Sequence, residues 1–248
     1  MLTATAVPIL QDNYAWLLRD STGEHSTGEH STGATAIVDP ADAEACIAAI
    51  DAAGGRLDLI IITHHHNDHI AGVDAVRARY GAPVVGATAD AHRLPKLDRS
   101  VREGDTVPLG ETVLHVIDTP GHTVGHIAYT GGGILLSGDT LFSLGCGRLL
   151  EGTAADMFAS LQKFAKLPPE TLVLCGHEYT QSNAKFAKQA DPANAALQAR
   201  SAEVDRQRAA GQHTVPTTLG AEMAENPFMR APSVSALAAL RSAKDVFK

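Results

Sequence analysis

A run of potential metal ligands constrains this chain more than any other feature of its sequence. Residues 63–69 read Thr-His-His-His-Asn-Asp-His and directly follow the apolar residues 59–62. An apolar run of this kind predicts a buried central strand. Alternate side chains of an extended chain point the same way, so we expect His64 and His66 to face one point and His65 to face elsewhere.

The same run provides two donors for a second point. Asp68 and His69 lie at the predicted turn into a helix, close to the place that His64 and His66 face. Catalytic zinc usually takes three protein ligands, so four donors within one short segment exceed the needs of one ion. Burying them without metal would leave several polar groups to satisfy. We therefore predict a metal site at this strand end, where ligands usually bind in α/β folds.

Three more donors follow predicted strands later in the chain. His122, Asp139 and His177 each stand next to a glycine that allows a tight backbone turn. Each of these signals is weak by itself. Together with residues 64–69 they predict seven ligands that converge on one sheet edge. Seven protein ligands are too many for one tetrahedral ion and suit two.

Composition narrows the class of protein. The chain has 248 residues, of which 44% are hydrophobic, and this suits one large domain or a domain with a small appendage. The formal net charge is -8, from 20 basic and 28 acidic residues, so nucleic acid is not an expected partner. No signal-peptide pattern and no membrane-spanning apolar run is seen, so we expect a cytoplasmic location and no membrane partner. We also expect a monomer.

The three cysteines do not form a disulfide framework, because their number is odd and their spacing irregular. Cys146 and Cys175 lie close to the ligand motifs, where they could be ligands or redox-sensitive thiols. Small buried packing residues are the more common role of such cysteines, and we predict that role.

The order of predicted elements indicates two domains. Strands mix with helices up to the strand before Cys175, and the pattern is helical afterwards, which predicts an α/β catalytic domain over 1–177 and a small all-helical domain over 178–248. Residues 21–33 repeat Ser-Thr-Gly-Glu-His in tandem. The two histidines of this repeat could bind metal, but its small polar residues favour a solvated loop insertion.

The ligand pattern resembles that of the metallo-β-lactamase superfamily, and further motifs are similar to the glyoxalase II, or hydroxyacylglutathione hydrolase, family. The similarity extends from Asp12-Asn13-Tyr14 to Arg230. The motifs that carry it are Gly138-Asp139-Thr140-Leu141-Phe142, Gly145-Cys146-Gly147-Arg148, Glu151-Gly152-Thr153, Gly176-His177-Glu178-Tyr179-Thr180 and Asn226-Pro227-Phe228-Met229-Arg230.

This resemblance implies an αββα sandwich followed by a small helical C-terminal domain. It also implies a division of the seven ligands between two ions. One ion would be held by His64, His66 and His122, and the other by Asp68, His69 and His177, with Asp139 bridging. Zinc is the expected metal, with iron or manganese possible, because imidazole and carboxylate ligands suit all three.

The resemblance further implies hydrolysis of S-(2-hydroxyacyl)glutathione thioesters, such as S-D-lactoylglutathione, to glutathione and D-lactate in methylglyoxal detoxification. In this hypothesis a hydroxide between the metals attacks the thioester carbonyl, and Asp68 and Asp139 orient it. Arg148, Tyr179 and Arg230 fall where the family places its glutathione contacts, and an arginine can pair a carboxylate with two donors.

Three departures from the eukaryotic pattern concern the substrate rather than the metals. Those members have lysine where Arg148 stands, an aromatic residue where Leu150 stands, and a basic residue shortly after the position of Arg230. The alternatives are another enzyme of the fold, namely a lactonase, a β-lactamase, another thioesterase or a mononuclear-iron persulfide dioxygenase, or a non-catalytic metal-binding module.

Overall fold

A computed structural model describes residues 1–21 and 33–247, which divide into two compact units. The first unit comprises Met1–Asp118 and Gly125–Leu136, and the second comprises Thr119–Val124 and Ser137–Lys248. The prediction of a loop insertion over 21–33 falls almost wholly outside the described residues. In the part of the chain described, no helix has the length and apolar character needed to cross a bilayer.

The first unit contains a six-stranded sheet whose strands follow one another in chain order. They are β1 (Leu2–Ile9), β2 (Asn13–Asp20), β3 (Ala34–Val38), β4 (Leu59–Ile61), β5 (Val84–Ala87) and β6 (Arg99–Val101). Pairing is antiparallel from β1 to β3 and parallel from β3 to β6. The carboxyl ends of β3, β4 and β5 therefore lie at one edge of the sheet, and β4 is a buried central strand, as the apolar run 59–62 predicts.

Three helices of the first unit are α1 (Ala43–Ala52), α2 (Asn67–Ile70) and α3 (Val73–Tyr80). The side chain of Asp42 caps α1 by accepting the N–H of Ala45 at 3.1 Å. The helical segment after β4 consists of α2 and α3, with a break at Gly72 between them. A Cβ there would lie 2.4 Å from the Pro40 carbonyl oxygen, so the backbones approach too closely for any other residue.

Four further strands form an antiparallel meander: β7 (Thr106–Leu109), β8 (Thr112–Asp118), β9 (Ile127–Gly131) and β10 (Ile134–Gly138). Residues 134–136 of β10 belong to the first unit. The buried Tyr129 hydroxyl donates to the Ile62 carbonyl at 3.0 Å, and the Thr112 N–H donates to Asp20 Oδ2 at 2.8 Å. These bonds tie the meander to the first sheet next to the residues that follow β4.

The second unit is mainly helical. Its elements are the β11 (Leu141–Phe142) and β12 (Gly145–Cys146) hairpin, α4 (Ala154–Phe164), β13 (Leu172–Cys175), α5 (Thr180–Ala190), α6 (Ala195–Ala209), β14 (Thr217–Thr218), α7 (Leu219–Glu225) and α8 (Val234–Asp245). A two-residue strand, β14, pairs with β13 and interrupts the predicted run of helices. The elements of the second unit thus agree with the predicted fold class, an α/β chain that ends in a helical region.

Side chains cap the starts of two helices in this unit. At α4 a capping box is present, because the Asp156 carboxylate accepts the N–H of Thr153 at 2.8 Å and the Thr153 hydroxyl accepts the N–H of Asp156 at 3.2 Å. Before α6 the dipeptide Asp191-Pro192 is typical of a helix start, but the helix begins later. Asn194 is the cap, since its side chain accepts the N–H of Leu197 at 3.2 Å, whereas Asp191 ends α5.

Candidate metal centre and substrate site

His64 of the first unit is fixed in one tautomer by a chain of hydrogen bonds. The Thr63 hydroxyl gives its only hydrogen to Asp39 Oδ2 at 2.7 Å, so its oxygen must accept from His64 Nδ1 at 3.1 Å. The lone pair of His64 therefore resides on Nε2. That atom lies 3.1 Å from Nδ1 of His66. The two imidazoles face each other as the strand-end prediction requires.

His69 is oriented by the same carboxylate. Its Nδ1 donates to Asp39 Oδ2 at 2.9 Å, which leaves Nε2 as the lone-pair nitrogen. Asp39 is buried directly after β3, and it also accepts the backbone N–H of Thr63 at 2.8 Å. Ligand atoms of Asp39, His64 and His69 all lie within 4.8 Å of one another. Asp39 was missed by the sequence analysis, although a lone Asp after an apolar strand beside β4 is a usable signal.

Asp68 and His65 each have a fixing partner. Asn13 Nδ2 donates to Asp68 Oδ2 at 3.0 Å and to its carbonyl oxygen at 3.1 Å, so the carboxylate is held in one orientation. His65 contacts the buried Asp90 carboxylate through Nδ1 at 3.1 Å, and its ring centroid lies 4.9 Å from that of His66. Arg93 donates to the other oxygen of Asp90. His65 thereby anchors the backbone between two candidate ligands.

The second unit supplies the other three candidates from three separate loops. His122 lies between β8 and β9, Asp139 directly follows β10, and His177 follows β13. The Nδ1 of His122 donates to the Arg148 carbonyl oxygen at 2.9 Å, so its lone pair also resides on Nε2. A backbone bond from the Gly176 N–H to the Gly138 carbonyl at 3.1 Å joins the segments that carry Asp139 and His177.

One oxygen of Asp139 faces both histidines. Its Oδ2 lies 3.5 Å from His122 Nε2 and 3.3 Å from His177 Nε2. Two ligand atoms at usual zinc distances and a tetrahedral angle lie roughly 3.4 Å apart. The three side chains are almost completely buried. The separations of this oxygen from the two imidazole nitrogens are therefore those expected between ligand atoms of a metal ion.

The donor chemistry of both units fits divalent cations. Three imidazoles, those of His64, His69 and His122, have their Nδ1 hydrogens bound to fixed acceptors and carry their lone pairs on Nε2, which is the usual tautomer of metal-binding histidine. Carboxylates accompany these imidazoles in each unit. Mixed nitrogen and oxygen donors suit zinc, iron and manganese equally.

Aromatic rings support His177. The rings of His177 and Tyr179 stack with centroids 4.5 Å apart and an interplanar angle of 8°. Phe142 meets both rings edge-on, at 5.8 and 5.4 Å. Tyr179 is 36% exposed. It is therefore placed beside a candidate ligand and open to solvent, as a substrate contact must be.

The two candidate arginines differ in their partners. Arg148 has an exposed side chain, with its Nε 3.9 Å from Asp245 Oδ1. Arg230 is half-exposed, with its Nε 3.4 Å from Asp191 Oδ2 and its Nη1 donating to the Ala224 carbonyl at 3.0 Å. Leu150, two residues after Arg148, is exposed. Arg230 is thus oriented by its neighbours, whereas Arg148 is loosely held.

The cysteines are the buried packing residues that the sequence predicts. Burial raises the pKa of the Cys146 thiol to about 11 and that of the Cys175 thiol to about 12. Cys46 is buried as well, and all three are free thiols. A protonated, buried thiol is neither a good nucleophile nor a redox sensor.

Known families match the chain on both sides of residue 177. Residues 29–177 match the metallo-beta-lactamase superfamily, and residues 178–247 match the hydroxyacylglutathione hydrolase C-terminus. The hydroxyacylglutathione hydrolase of Acidiphilium cryptum (strain JF-5) is 56% identical over 246 residues, which are 99% of this chain and 97% of that protein. The chain belongs to the hydroxyacylglutathione hydrolase family. Membership in this family confirms the resemblance and the metallo-β-lactamase fold with a helical C-terminal region.

Solved structures agree with this fold. ETHE1 from Myxococcus xanthus has a TM-score of 0.71 at 24% identity, covering 99% of this chain and 92% of that one, and the likeness shows the fold alone. TTHA1623, solved in a di-iron-bound form, has a TM-score of 0.61 at 26% identity, covering 91% of this chain and 99% of that one. The hydroxyacylglutathione hydrolase family thus shares its fold with a protein that binds two irons.

Proposed function

We propose that this hydroxyacylglutathione hydrolase family member hydrolyses S-(2-hydroxyacyl)glutathione thioesters, such as S-D-lactoylglutathione, to glutathione and a 2-hydroxy acid. The observation that carries the proposal is the 56% identity with a hydroxyacylglutathione hydrolase over 99% of the chain. The buried imidazole and carboxylate donors of both units support it. Methylglyoxal detoxification is the metabolic role that follows from this substrate.

We propose two divalent ions per chain, most simply zinc, with iron or manganese as alternatives. The proposed ligands are His64, His66, Asp68, His69, His122, Asp139 and His177. The Asp139 oxygen that faces two histidines supports a bridging role. TTHA1623, which shares this fold, was solved with two irons, and this also favours a pair of ions.

Two such ions would supply Lewis acidity, which lowers the pKa of a coordinated water and polarises a carbonyl group. The chain would contribute orientation. Asp68, held by Asn13, and Asp139 would accept hydrogen bonds from the attacking water and fix its direction. The leaving glutathione thiolate has a parent thiol pKa near ~8.5, so it departs without a strong general acid. This explains why no proton donor is needed among the site motifs.

Substrate binding is assigned to Arg148, Tyr179 and Arg230. Glutathione carries two carboxylates, and the guanidinium groups of the two arginines would pair with them. Because Asp191 contacts Arg230, a carboxylate of the substrate would have to share or replace that contact. Residues 178–248 would then form the substrate-binding domain and 1–177 the catalytic domain.

A monomer in the cytoplasm completes the proposal. Three buried free thiols suit a reducing compartment. The negative net charge of -8 argues against nucleic acid as a partner.

Elemental analysis combined with a thioester assay tests the proposal. We expect about two divalent ions per chain and hydrolysis of S-D-lactoylglutathione. A chelator should remove the metal and the activity, and addition of metal should restore both. His122→Ala should lose metal and activity together. His115→Ala is the matched control, because His115 is an exposed histidine of β8 and should keep both.

Other results would contradict parts of the proposal. Full activity of His122→Ala with a full metal complement would remove His122 from the ligands. One iron per chain with oxygen consumption and no thioester turnover would favour a persulfide dioxygenase. Metal binding with no turnover of thioesters, lactones or β-lactams would favour a non-catalytic module.

A further inference from the structure

A short hairpin lies between Asp139 and Arg148 in the second unit. Its strands β11 and β12 pair Leu141 with Cys146 and are joined by a two-residue turn. Leu144 in that turn has φ 59°, a left-handed backbone conformation that is unfavourable for a branched side chain. Something outside the hairpin must therefore stabilise this turn.

Two buried side chains near the end of α7 bind the hairpin backbone. Glu222 Oε2 accepts the N–H of Leu144 at 2.8 Å and the amide of Asn226 at 2.9 Å. The same Asn226 Nδ2 shares its two hydrogens among Glu222 Oε2, the Phe142 carbonyl at 3.2 Å and the Gly145 carbonyl at 3.0 Å. Glu222 and Asn226 have no solvent exposure at all. The Leu144 N–H and the Phe142 and Gly145 carbonyls of the hairpin thus have their partners near the end of α7.

The burial of Glu222 is unfavourable by itself. Removal from water raises the pKa of this carboxyl, so the ionised form is destabilised in the fold. An apolar residue would avoid this cost but would leave the Leu144 N–H without an acceptor. The fold therefore contains a buried carboxylate and a strained turn that bind each other. Two unfavourable features at one place indicate that the conformation of this hairpin is important for the protein.

The hairpin is coupled closely to the Asp139 backbone. A Cβ at Gly147, just past β12, would lie 2.0 Å from the Asp139 carbonyl oxygen. The next residue, Arg148, accepts the His122 hydrogen bond through its carbonyl. Arg241 of α8 adds a third tail contact, donating to the Cys146 carbonyl at 2.8 Å. A shift of the hairpin would therefore move Asp139 and the acceptor that orients His122.

We propose that Glu222 and Asn226 are positioning residues of the metal centre, through which the C-terminal helices hold Asp139 and His122 in place. The inference rests on the proposed function only in treating Asp139 and His122 as metal ligands. Arg230 lies four residues after Asn226 and is assigned to the substrate. The helical tail would then have two separate tasks, metal-centre support from its buried face and substrate binding from its exposed face.

Metal affinity of the full-length protein, measured by competition with a chelator for zinc, tests this inference. We expect Asn226→Ala and Glu222→Leu to lower zinc affinity ~10–100-fold, the range that outer-shell partners of metal ligands show. Their kcat should fall as well, and amide exchange of Leu144 should accelerate. Glu222→Gln should stay close to the wild type, because a glutamine carbonyl can accept both bonds that Oε2 accepts.

Val204→Ala is the matched control for a general loss of stability. Val204 is a fully buried residue of α6 that makes none of these hydrogen bonds, and it should leave zinc affinity unchanged. If Glu222→Leu does not fold, the inference is tested by comparing the zinc affinity of Asn226→Ala with that of Val204→Ala. Wild-type zinc affinity in folded Asn226→Ala, or an equal loss in Val204→Ala, would overturn the inference. Because zinc affinity is measured without substrate, an error in the proposed thioester substrate would not alter this result.

Discussion

The two units of the molecule place their ligand candidates in different ways. The first unit carries His64, His66, Asp68 and His69 on one strand end and the turn that follows it. The second unit carries His122, Asp139 and His177 on three loops that are distant in sequence. Local backbone geometry brings the first set together, although Asp39 and Asn13 orient its members, whereas only the folding of the second unit brings its set together. A short segment can therefore encode one set of candidate ligands, but the other set depends on the whole of its unit.

Support for each set follows the same division. In the first unit one carboxylate, Asp39, contacts Thr63 and His69 and so fixes two imidazole tautomers. In the second unit the support is spread over a backbone carbonyl for His122, an aromatic stack for His177 and the hairpin contacts near Asp139. We therefore expect substitution of Asp39 alone to disturb the first set of candidate ligands. Substitution of any one supporting residue should disturb only part of the second set.

Removal of Asp139 should have the largest effect. Asp139→Ala takes away an oxygen that faces both His122 and His177, so metal content should decrease and kcat/KM should fall by more than the ~100-fold upper range seen for outer partners. Elemental analysis and thioester kinetics measure this. Asp74→Asn, an exposed acid of α3, is the control and should behave like the wild type. A fully metallated, active Asp139→Ala protein would remove the second unit from the metal centre.

Asp39→Asn should have an intermediate effect. Both oxygens of the Asp39 carboxylate accept hydrogen bonds from Thr63 or His69. An asparagine has only one oxygen, so its NH₂ group would face one of these donors. We expect a loss of metal affinity of ~10–100-fold and a decrease of ~1–3 kcal/mol in the free energy of unfolding. Chelator competition and denaturant unfolding measure the two quantities.

The control for Asp39 is Asp58→Asn. Asp58 also accepts a backbone N–H, that of Thr35 at 2.8 Å, but it precedes β4 instead of following a strand at the ligand edge. The Asp58→Asn variant should have a lower free energy of unfolding than the wild type but an unchanged metal affinity. Equal metal affinities in the two variants would show that the first set needs no shared carboxylate.

Arg230→Ala should have the smallest effect of the three. Its side chain is half-exposed and contacts Asp191, so solvent screens much of its interaction with a substrate carboxylate. We expect KM for S-D-lactoylglutathione to rise by at most about tenfold, with kcat and metal content unchanged, because binding in the ground state and the transition state is lost equally. Arg206→Ala, an exposed arginine of α6, is the control. An unchanged KM would argue against the substrate role of the tail.

Several residues show where sequence reasoning reaches its limit. The run 64–69 could be interpreted from its own spacing, because a strand followed by a helix turn sets side-chain directions within a few residues. Asp39, Asn13 and Asp90 could not be assigned to it, because their contacts depend on strand pairing and loop packing. The start of α6 shows the same limit, because α5 extends to Ala190 and the helix cap is therefore Asn194 instead of Asp191.

The sequence by itself determined the family, the α/β class with a helical end, and the identity of the seven candidate ligands. Residue type and short-range spacing are sufficient for these, because metal-ligand chemistry is a property of the side chain. The tertiary structure decided which nitrogen of His64, His69 and His122 carries the lone pair, that one Asp139 oxygen faces two histidines, and that Glu222 and Asn226 bind the hairpin. These depend on hydrogen bonds between residues far apart in the chain, and only folding brings such partners within bonding distance.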